Sequence, residues 1–311
     1  MIYLSIKGRL GNQMFQYAFA RALQEQLGQE ITIDWHFVNN EANRMPNIGF
    51  DDSLKLFRVK TYHSVDAINY RKEMTLKQYL SFRNYEKHCP FSGTVEQKEV
   101  FEKNFLKKHP HNGLFYFENG FYDFDLTKPP KNLFLTGYFE STRYFSGISE
   151  QIREEFVPVQ PRLKKNTELY DFIESQESVC VSMRYGNKAD FIKSSFHGVC
   201  TLDYFLEGMD IIKRKNPSAV FIIFSDNVEQ IKKDVKFNYP VLFEEGTDPV
   251  WEKLRLMSSC KHFIISNSTF SWWAQYLSRN PDKIVIAPDK WYNSTVKSDL
   301  LNDDSLIKIV C

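Results

Sequence analysis

The sequence lacks the features that mark metal-binding, disulfide-rich or polyanion-binding proteins. Its five cysteines are scattered and form no Cys-x-x-Cys pair, so neither a zinc site nor a disulfide framework is predicted. The 40 Lys and Arg residues nearly balance the 39 Asp and Glu residues, whereas a nucleic-acid-binding protein usually has a basic excess. We therefore expect no nucleic acid as partner and no zinc site of the Cys-x-x-Cys kind.

Long hydrophobic runs are also missing. No stretch reaches the roughly 20 apolar residues of a membrane-spanning helix. The first apolar run, Ile2–Ile6, ends at Lys7 and is too short for the core of a signal peptide. Together with scattered cysteines that suit a reducing compartment, this predicts a cytoplasmic protein. Peripheral association with the cytoplasmic face of the inner membrane stays open.

The chain opens with the pattern of a β-α-β unit. The apolar run Ile2–Ile6 predicts a strand, Phe15 and Phe19 recur at the spacing of a helix, and Ile31–Ile33 predicts a second strand. From about residue 40 to 130 the periodicity is poor, so helices are expected there without defined bounds. The segment from Asn132 to Gly137 again predicts a strand.

A segment with two prolines, Val157 to Pro161, divides the chain into predicted domains of residues 1–160 and 161–311. Beyond it, short apolar strands alternate with helices, which is typical of a parallel sheet in an α/β fold. The predicted strands are Val179–Met183, Val220–Phe224, Val241–Phe243, Phe263–Ser266 and Ile284–Ala287, and the predicted helices are Leu202–Lys213, Val228–Asp234, Pro249–Met257 and Phe270–Leu277. Ligands of such sheets bind at the carboxyl ends of the strands.

The first polar cluster, from Gly8 to Gln13, lies between the first strand and the first helix. Glycine lets a backbone approach a ligand closely, and free N–H groups at a helix N-terminus attract an anion or a sugar hydroxyl. Gly11, Asn12 and Gln13 are therefore candidate binding residues. A plain tight turn with Asn12 as helix cap is an equally good interpretation. No Gly-x-Gly-x-x-Gly loop is present, which argues against a Rossmann oxidoreductase.

Two charged residues follow strands of the second domain. Arg184 comes directly after Val179–Met183, where a guanidinium can hold a phosphate with two parallel hydrogen bonds. Asp226 follows Val220–Phe224 and could hold a ribose, a base edge or a structural arginine. The alternatives are a solvated loop for Arg184 and a helix cap for Asp226.

A dense polar cluster joins an apolar strand to an apolar helix at Asn267, Ser268, Thr269, Phe270 and Ser271. Backbone N–H groups at the start of that helix, with the nearby hydroxyls, suit a diphosphate held without a metal. The alternative is a capped core helix, but the cluster has more polar residues than one cap needs. The Asp-x-Asp spacing at Asp123 and Asp125 lies in an irregular segment and is attributed to chance.

Taken together, these segments resemble the glycosyltransferase family 11 fucosyltransferases. The matching segments follow the family's order across nearly the whole chain: Gly8–Ala18, Gly137–Phe139 with Tyr144 and Phe145, Phe224–Asn227, Leu256–Trp273, and Ala287–Pro288 with Trp291 and Tyr292. The resemblance implies a GT-B fold, with two Rossmann-like domains facing a cleft. It implies that residues 1–160 face the acceptor and residues 161–311 bind GDP-fucose.

The same resemblance implies a reaction. Fucose would pass with inversion from GDP-fucose to a hydroxyl of a galactoside-type acceptor glycan, in an α-1,2 linkage, without a metal or other cofactor. Arg184 matches the arginine that faces the β-phosphate of the donor. Asp190 is a candidate general base, and His262 is either a guanine contact or a packed core histidine.

One departure from the family pattern affects the donor site. The family usually has His-x-Arg-Arg-Gly-Asp, and Ser182, Tyr185 and Asn187 replace its histidine, second arginine and aspartate. Donor affinity, rate and donor identity are therefore open. A weakened or non-catalytic GDP-sugar-binding homologue, or a transferase with another linkage or another GDP-sugar, remains an alternative.

Overall fold

The computed structural model describes residues 1–46, 48–185 and 200–311, and divides them into two compact units, Met1–Glu155 and Phe156–Cys311. The sequence placed the boundary after residue 160. The difference arises because the guanidinium of Arg255 donates hydrogen bonds to the carbonyls of Pro158 and Gln160. The segment with two prolines therefore packs on the second unit.

The first unit is built on one parallel sheet. Its strands are β1 (Ile2–Ser5), β2 (Ile31–Asp34), β3 (His63–Val65), β4 (Leu114–Tyr116) and β5 (Leu133–Thr136). They lie in the order β3-β2-β1-β5-β4. Strands β2 and β3 lie in sequence on one side of β1, and the later strands β5 and β4 lie on its other side. The direction in which the sheet is built therefore changes between β1 and β5. That boundary is the switch point of the first sheet.

Several helices of the first unit begin at a residue whose side chain caps them. They are α1 (Leu10–Leu27), α2 (His36–Arg44), α3 (Tyr70–Glu73), α4 (Leu76–His88), α5 (Val95–Lys108) and α6 (Ser149–Glu155). Thr75 with Gln78 and Thr94 with Gln97 form capping boxes at the starts of α4 and α5. Both helices pack against one aromatic cluster that includes Phe134 of β5, an interior strand of the sheet.

The second unit also has a single parallel sheet. Its strands are β6 (Ser178–Met183), β7 (Val220–Ser225), β8 (Val241–Phe243), β9 (His262–Ile264), β10 (Val285–Pro288) and β11 (Leu306–Ile309). Their order is β11-β10-β9-β6-β7-β8, which is the doubly wound order of dinucleotide-binding folds. The switch point of this sheet lies between β6 and β9.

Helices follow most strands of the second unit. They are α7 (Thr167–Ser175), α8 (Leu202–Lys215), α9 (Val228–Asp234), α10 (Val250–Ser259) and α11 (Thr269–Leu277). Helix α8 packs tightly on the sheet at Gly208, where an added Cβ atom would lie 3.1 Å from Cγ2 of Ile264. This close contact helps fix α8 over the central strand β9.

The predicted α/β class with two Rossmann-like domains is confirmed. All five strands predicted after residue 161 are present, with bounds shifted by no more than a few residues at their ends. The sequence missed β3, β4 and β11, each of which is an edge strand of its sheet. No described helix is both long enough and apolar enough to span a lipid bilayer.

Candidate functional site

The candidate site lies at the carboxyl ends of β6 and β9, on the two sides of the switch point. Strand β6 is buried through Met183, and the chain becomes half-buried at Arg184. Strands β6 and β9 pair directly, with Val181 opposite Ile264. Arg184 and the polar segment that begins at Ser266 therefore leave neighbouring strands at the same edge of the sheet.

Three buried serine hydroxyls connect these two segments. The Oγ atom of Ser271, in the first turn of α11, lies 2.7 Å from Oγ of Ser182 and 3.1 Å from Oγ of Ser266. Ser182 precedes Arg184 by two residues, so the serine network holds the α11 N-terminus beside the arginine segment. The hydroxyl of Ser271 is engaged within the protein, so of the two groups predicted to bind the donor, the hydroxyl has a structural role and the backbone N–H stays a prediction.

The N-terminus of α11 lies at the carboxyl edge of the second sheet, beside the arginine segment. Ser268 is the N-cap residue, but within the described part of the chain its side chain makes no capping hydrogen bond. Asn267, Ser268, Thr269 and Phe270 are all half-buried. The side-chain amide of Asn267 donates a 3.2 Å hydrogen bond to the backbone carbonyl of Trp291, which fixes the turn before the helix. The helix dipole adds partial positive charge here, which suits an anion.

Asp226 lies at the carboxyl end of β7, next to β6. Its Oδ1 atom accepts a 2.9 Å hydrogen bond from the backbone N–H of Tyr185. The Tyr185 hydroxyl donates to Asp234 at 3.1 Å. The alternative of Asp226 as a helix cap is wrong, because Asn227 caps α9 by accepting from the N–H of Gln230. Asp226 is exposed and helps to hold the arginine segment in place.

His262 does not lie at this edge. It begins β9 at the amino edge of the sheet, is buried, and pairs with Val179 near the start of β6. Its Nδ1 atom accepts from the N–H of Ile284 at 3.0 Å, so Nε2 carries the proton and donates to Glu177 at 3.3 Å. Hydrogen bonds from Lys261, Asn216 and His262 lower the pKa of Glu177 to about 2. The prediction of His262 as a guanine contact is corrected, and its role is structural.

In the first unit, only the start of the Gly8 to Gln13 cluster is a turn, because the helix begins inside the cluster. Helix α1 begins at Leu10 with Arg9 as its N-cap, so Asn12 is not the cap. Gly8 has a φ of +77°, and an added Cβ atom would lie 2.5 Å from Nδ2 of Asn12. Only glycine fits this turn without strain.

The three candidate residues of this turn differ in environment. Gln13 is fully buried, and its amide donates to the carbonyls of Gly8 and Asp51 at 3.1 and 2.7 Å. Its predicted role in donor binding is therefore corrected to a structural one. Gly11 is buried within the first turn of α1, and Asn12 is half-buried beside it.

The sequence missed a charged cluster at the carboxyl edge of the first sheet. Nζ of Lys7, which follows β1, lies 2.6 Å from the Glu118 carboxylate and 4.6 Å from the Tyr138 ring centroid. Lys98 contacts the same carboxylate at 3.1 Å. Burial would raise the pKa of Glu118, but the two ammonium groups outweigh it and hold that pKa below its usual value. Lys7 and Tyr138 flank the β1–β5 switch point, and applying the switch-point rule to the first domain would have found them.

Two remaining predictions concern acidic residues. Asp190 lies outside the described residues, as do Gly186, Asn187 and Lys188. Asp125 accepts hydrogen bonds from the backbone and hydroxyl of Thr127 at 2.9 and 2.6 Å. The Asp-x-Asp spacing there belongs to a local turn. Within the described ranges, no group of three or more His, Cys, Asp or Glu side chains is arranged to hold a metal ion.

Known proteins are similar to this chain over more than nine-tenths of its length. The chain is 28% identical over 307 residues to an Alpha-1,2-colitosyltransferase of Escherichia coli, with 94% of this chain and 92% of the relative covered. It is 28% identical to the O-antigen biosynthesis glycosyltransferase WbnK of Escherichia coli, with 97% and 98% covered. The crystal structure of NodZ alpha-1,6-fucosyltransferase soaked with GDP-fucose superposes with a TM-score of 0.53 at 13% identity, covering 92% of this chain and 94% of that one.

The structural similarity establishes the fold, since 13% identity is too low to carry more. The fold is GT-B, as the sequence resemblance implied, with one Rossmann-like domain in each unit. The model of the family described as Glycosyl transferase family 11 matches residues 1–308. Because that match spans nearly the whole sequence, the chain belongs to glycosyl transferase family 11.

Proposed function

We propose that the protein transfers fucose, with inversion, from GDP-fucose to a hydroxyl of a galactoside-type acceptor glycan and forms an α-1,2 linkage. The observation that carries the proposal is that Arg184 and the α11 N-terminus follow neighbouring strands, on the two sides of the switch point of the second sheet. A doubly wound sheet binds its ligand in that crevice. The departing group of this reaction is a nucleoside diphosphate, which is the ligand that such a constellation suits.

The proposed chemistry needs stabilisation of charge on the leaving diphosphate. The Arg184 guanidinium can donate two parallel hydrogen bonds to the β-phosphate, and the first N–H groups of α11 can donate to the other phosphate. These donors are held before the reaction by the serine network and by Asp226, so little reorganisation is required as charge develops. In this proposal the protein's own donors neutralise the charge, and no metal is needed.

The acceptor hydroxyl attacks the anomeric carbon from the face opposite the diphosphate, through an oxocarbenium-like transition state. A general base would assist loss of the hydroxyl proton, and Asp190 is our candidate for it. In the first unit, Lys7 and the half-buried Tyr138 are candidate acceptor contacts, because they flank the corresponding switch point. An aromatic ring next to a cation offers both a stacking face and a hydrogen-bond donor to a sugar.

A second candidate donor is favoured by the 28% identity to the colitosyltransferase across nearly the whole chain. Colitose is the 3-deoxy counterpart of fucose. The two donors share the diphosphate, so Arg184 and α11 would serve both. A site that hydrogen-bonds the 3-hydroxyl would reject GDP-colitose strongly, whereas a site without such a group would discriminate weakly.

The deciding experiment incubates the protein with GDP-fucose or GDP-colitose and a panel of β-galactosides, with GDP release measured and product linkages determined. Arg184→Ala should lower kcat at least about a hundredfold, as expected for loss of one transition-state donor. Arg214→Ala, at the exposed end of α8, is the matched control and should keep the wild-type rate. Arg184→Lys should recover only part of the loss, because an ammonium group cannot donate in a planar pair.

The outcomes separate the alternatives. GDP binding without GDP release in the presence of any galactoside would leave a non-catalytic GDP-sugar-binding protein. A product with another linkage would correct the α-1,2 assignment but keep the transferase. Wild-type turnover by Arg184→Ala would remove Arg184, and with it the proposed phosphate site.

We further propose that the protein acts in the cytoplasm, at the membrane face. Support comes from the relative named for O-antigen biosynthesis and from the described cysteines, all of which are free thiols. The surface that could make the membrane contact is argued next.

A further inference from the structure

Helices α4 and α5 share one side of the first unit. Tyr85 of α4 and Phe105 of α5 pack against each other, with ring centroids 5.2 Å apart, and both join the aromatic cluster that contains Phe134 of β5. The two helices therefore cover the same face of the sheet with their inner sides. Their outer sides form a common surface, which we call the α4–α5 face.

Large apolar side chains on this face are exposed. Leu76 and Leu80 of α4 are 74% and 60% exposed, Val100 of α5 is 60% exposed, and Phe91 in the connection between the helices is 62% exposed. Leu76 and Leu80 are four residues apart, so they lie on one stripe of α4. Single exposed apolar residues are ordinary, but four such residues within two adjacent helices and their connection require an explanation.

Basic side chains lie beside these apolar groups. From Leu76 to Lys108 the chain has seven Lys and Arg against four Glu, whereas the whole chain has a net charge of only +1. Lys77, Lys87, Lys107 and Lys108 are exposed, and none forms an ion pair within the described ranges. Glu86 is already paired with Arg83 at 3.0 Å, and Glu99 is paired with Lys103.

We propose that the α4–α5 face docks on an anionic lipid surface. Charge complementarity selects this occupant, because basic side chains interleaved with a few apolar ones match anionic headgroups over an acyl region. A second copy of the same face would be repelled by its like charge. The inference gives the membrane contact of the proposed function a location, and it can be tested apart from catalysis.

The test measures partition of the full-length protein into vesicles of phosphatidylglycerol and phosphatidylethanolamine, with phosphatidylcholine vesicles as the neutral comparison. Wild type should bind the anionic vesicles, and raising the salt concentration should weaken that binding. Replacing Lys77, Lys87 and Lys107 together by Gln should weaken partition about a hundredfold, since each lysine near an anionic surface contributes roughly fivefold. Leu76→Ser with Leu80→Ser should weaken it independently of salt.

The matched control replaces three exposed lysines of the second unit, Lys164, Lys233 and Lys236, by Gln. It should partition like wild type. Turnover with a soluble galactoside is followed in every variant and should not change, so loss of docking is distinguishable from loss of the proposed transfer activity. Equal binding to neutral vesicles, equal partition by the α4–α5 variants, or an equal loss in the control would each overturn the assignment.

Discussion

We expect the hydroxyl groups around the α11 N-terminus to divide into structural and ligand-binding ones, and Ser271→Ala tests this division. Ser271 makes two buried hydrogen bonds, to Ser182 at 2.7 Å and to Ser266 at 3.1 Å. Each such bond contributes roughly 0.5–1.5 kcal/mol net, so the substitution should cost about 1–3 kcal/mol of unfolding free energy. In a unit of this size that corresponds to a fall in Tm of roughly 5 °C.

The comparison variant is Ser268→Ala. Ser268 is half-buried, and within the described ranges its side chain makes no capping bond, so its loss should barely change Tm. If its hydroxyl donates to a phosphate, GDP affinity should fall about tenfold or more, as is usual for a hydrogen bond to a charged group. Ser271→Ala should keep its GDP affinity within about threefold at temperatures well below its Tm.

Thermal unfolding and calorimetric titration with GDP measure both properties on the same samples. The reasoning fails if Ser271→Ala unfolds at the wild-type temperature and loses GDP binding, because its hydroxyl would then face the donor. It also fails if Ser268→Ala and Ser271→Ala lose the same stability, since the structure gives only Ser271 two buried partners.

Three further predictions concern stability. Burial raises the pKa of Glu102 to about 7, so between the ordinary glutamate pKa and pH 7 the folded state keeps a proton that the unfolded state has lost. The free energy of unfolding should therefore fall by up to ~3 kcal/mol as the pH rises through that range. Glu102→Gln should flatten this part of the pH profile, and the control Glu99→Gln should not. His262→Ala should lower Tm, by loss of the bonds to Glu177 and Ile284, and leave GDP affinity unchanged in titration; a selective loss of affinity would restore the guanine role. Gly8→Ala should cost about 1–3 kcal/mol in denaturant unfolding, because its φ of +77° and the nearby Asn12 side chain both oppose a Cβ atom, and an unchanged midpoint would contradict this.

The sequence predicted the second unit well because its central strands are runs of buried apolar residues. Val220–Ser225 and Val179–Met183 each present a continuous Val, Ile, Phe or Met pattern, which buried parallel strands require. The missed strands β3, β4 and β11 are edge strands of three or four residues, and β4, although apolar and buried, is too short to be told from the aromatic segment around it. His63–Val65 has no apolar alternation, and Lys308 interrupts β11.

The candidate site was predictable in location but not in the role of each side chain. The rule that ligands bind at carboxyl ends of strands places Arg184 and Asn267 together, and β6 and β9 are indeed neighbours. No periodicity indicates which way Ser271 points within the first turn of a helix. His262 was named as a guanine contact although the sequence already placed it just before a strand, at the amino edge, where the rule for parallel sheets puts no ligand.

The departures from the family pattern bear on whether the site is a decayed remnant. A decayed site is expected to leave polar groups without partners, since no selection for a ligand keeps them arranged. Ser182, in place of the family's histidine, instead holds the α11 helix through Ser271, and the hydroxyl of Tyr185, in place of the second arginine, donates to Asp234. These two replacements, which lie within the described residues, are built into the structure around Arg184 and the helix N-terminus. This integration favours a working donor site that holds its diphosphate with one arginine and the helix amides, so the altered residues should tune donor affinity or donor choice more than they abolish transfer.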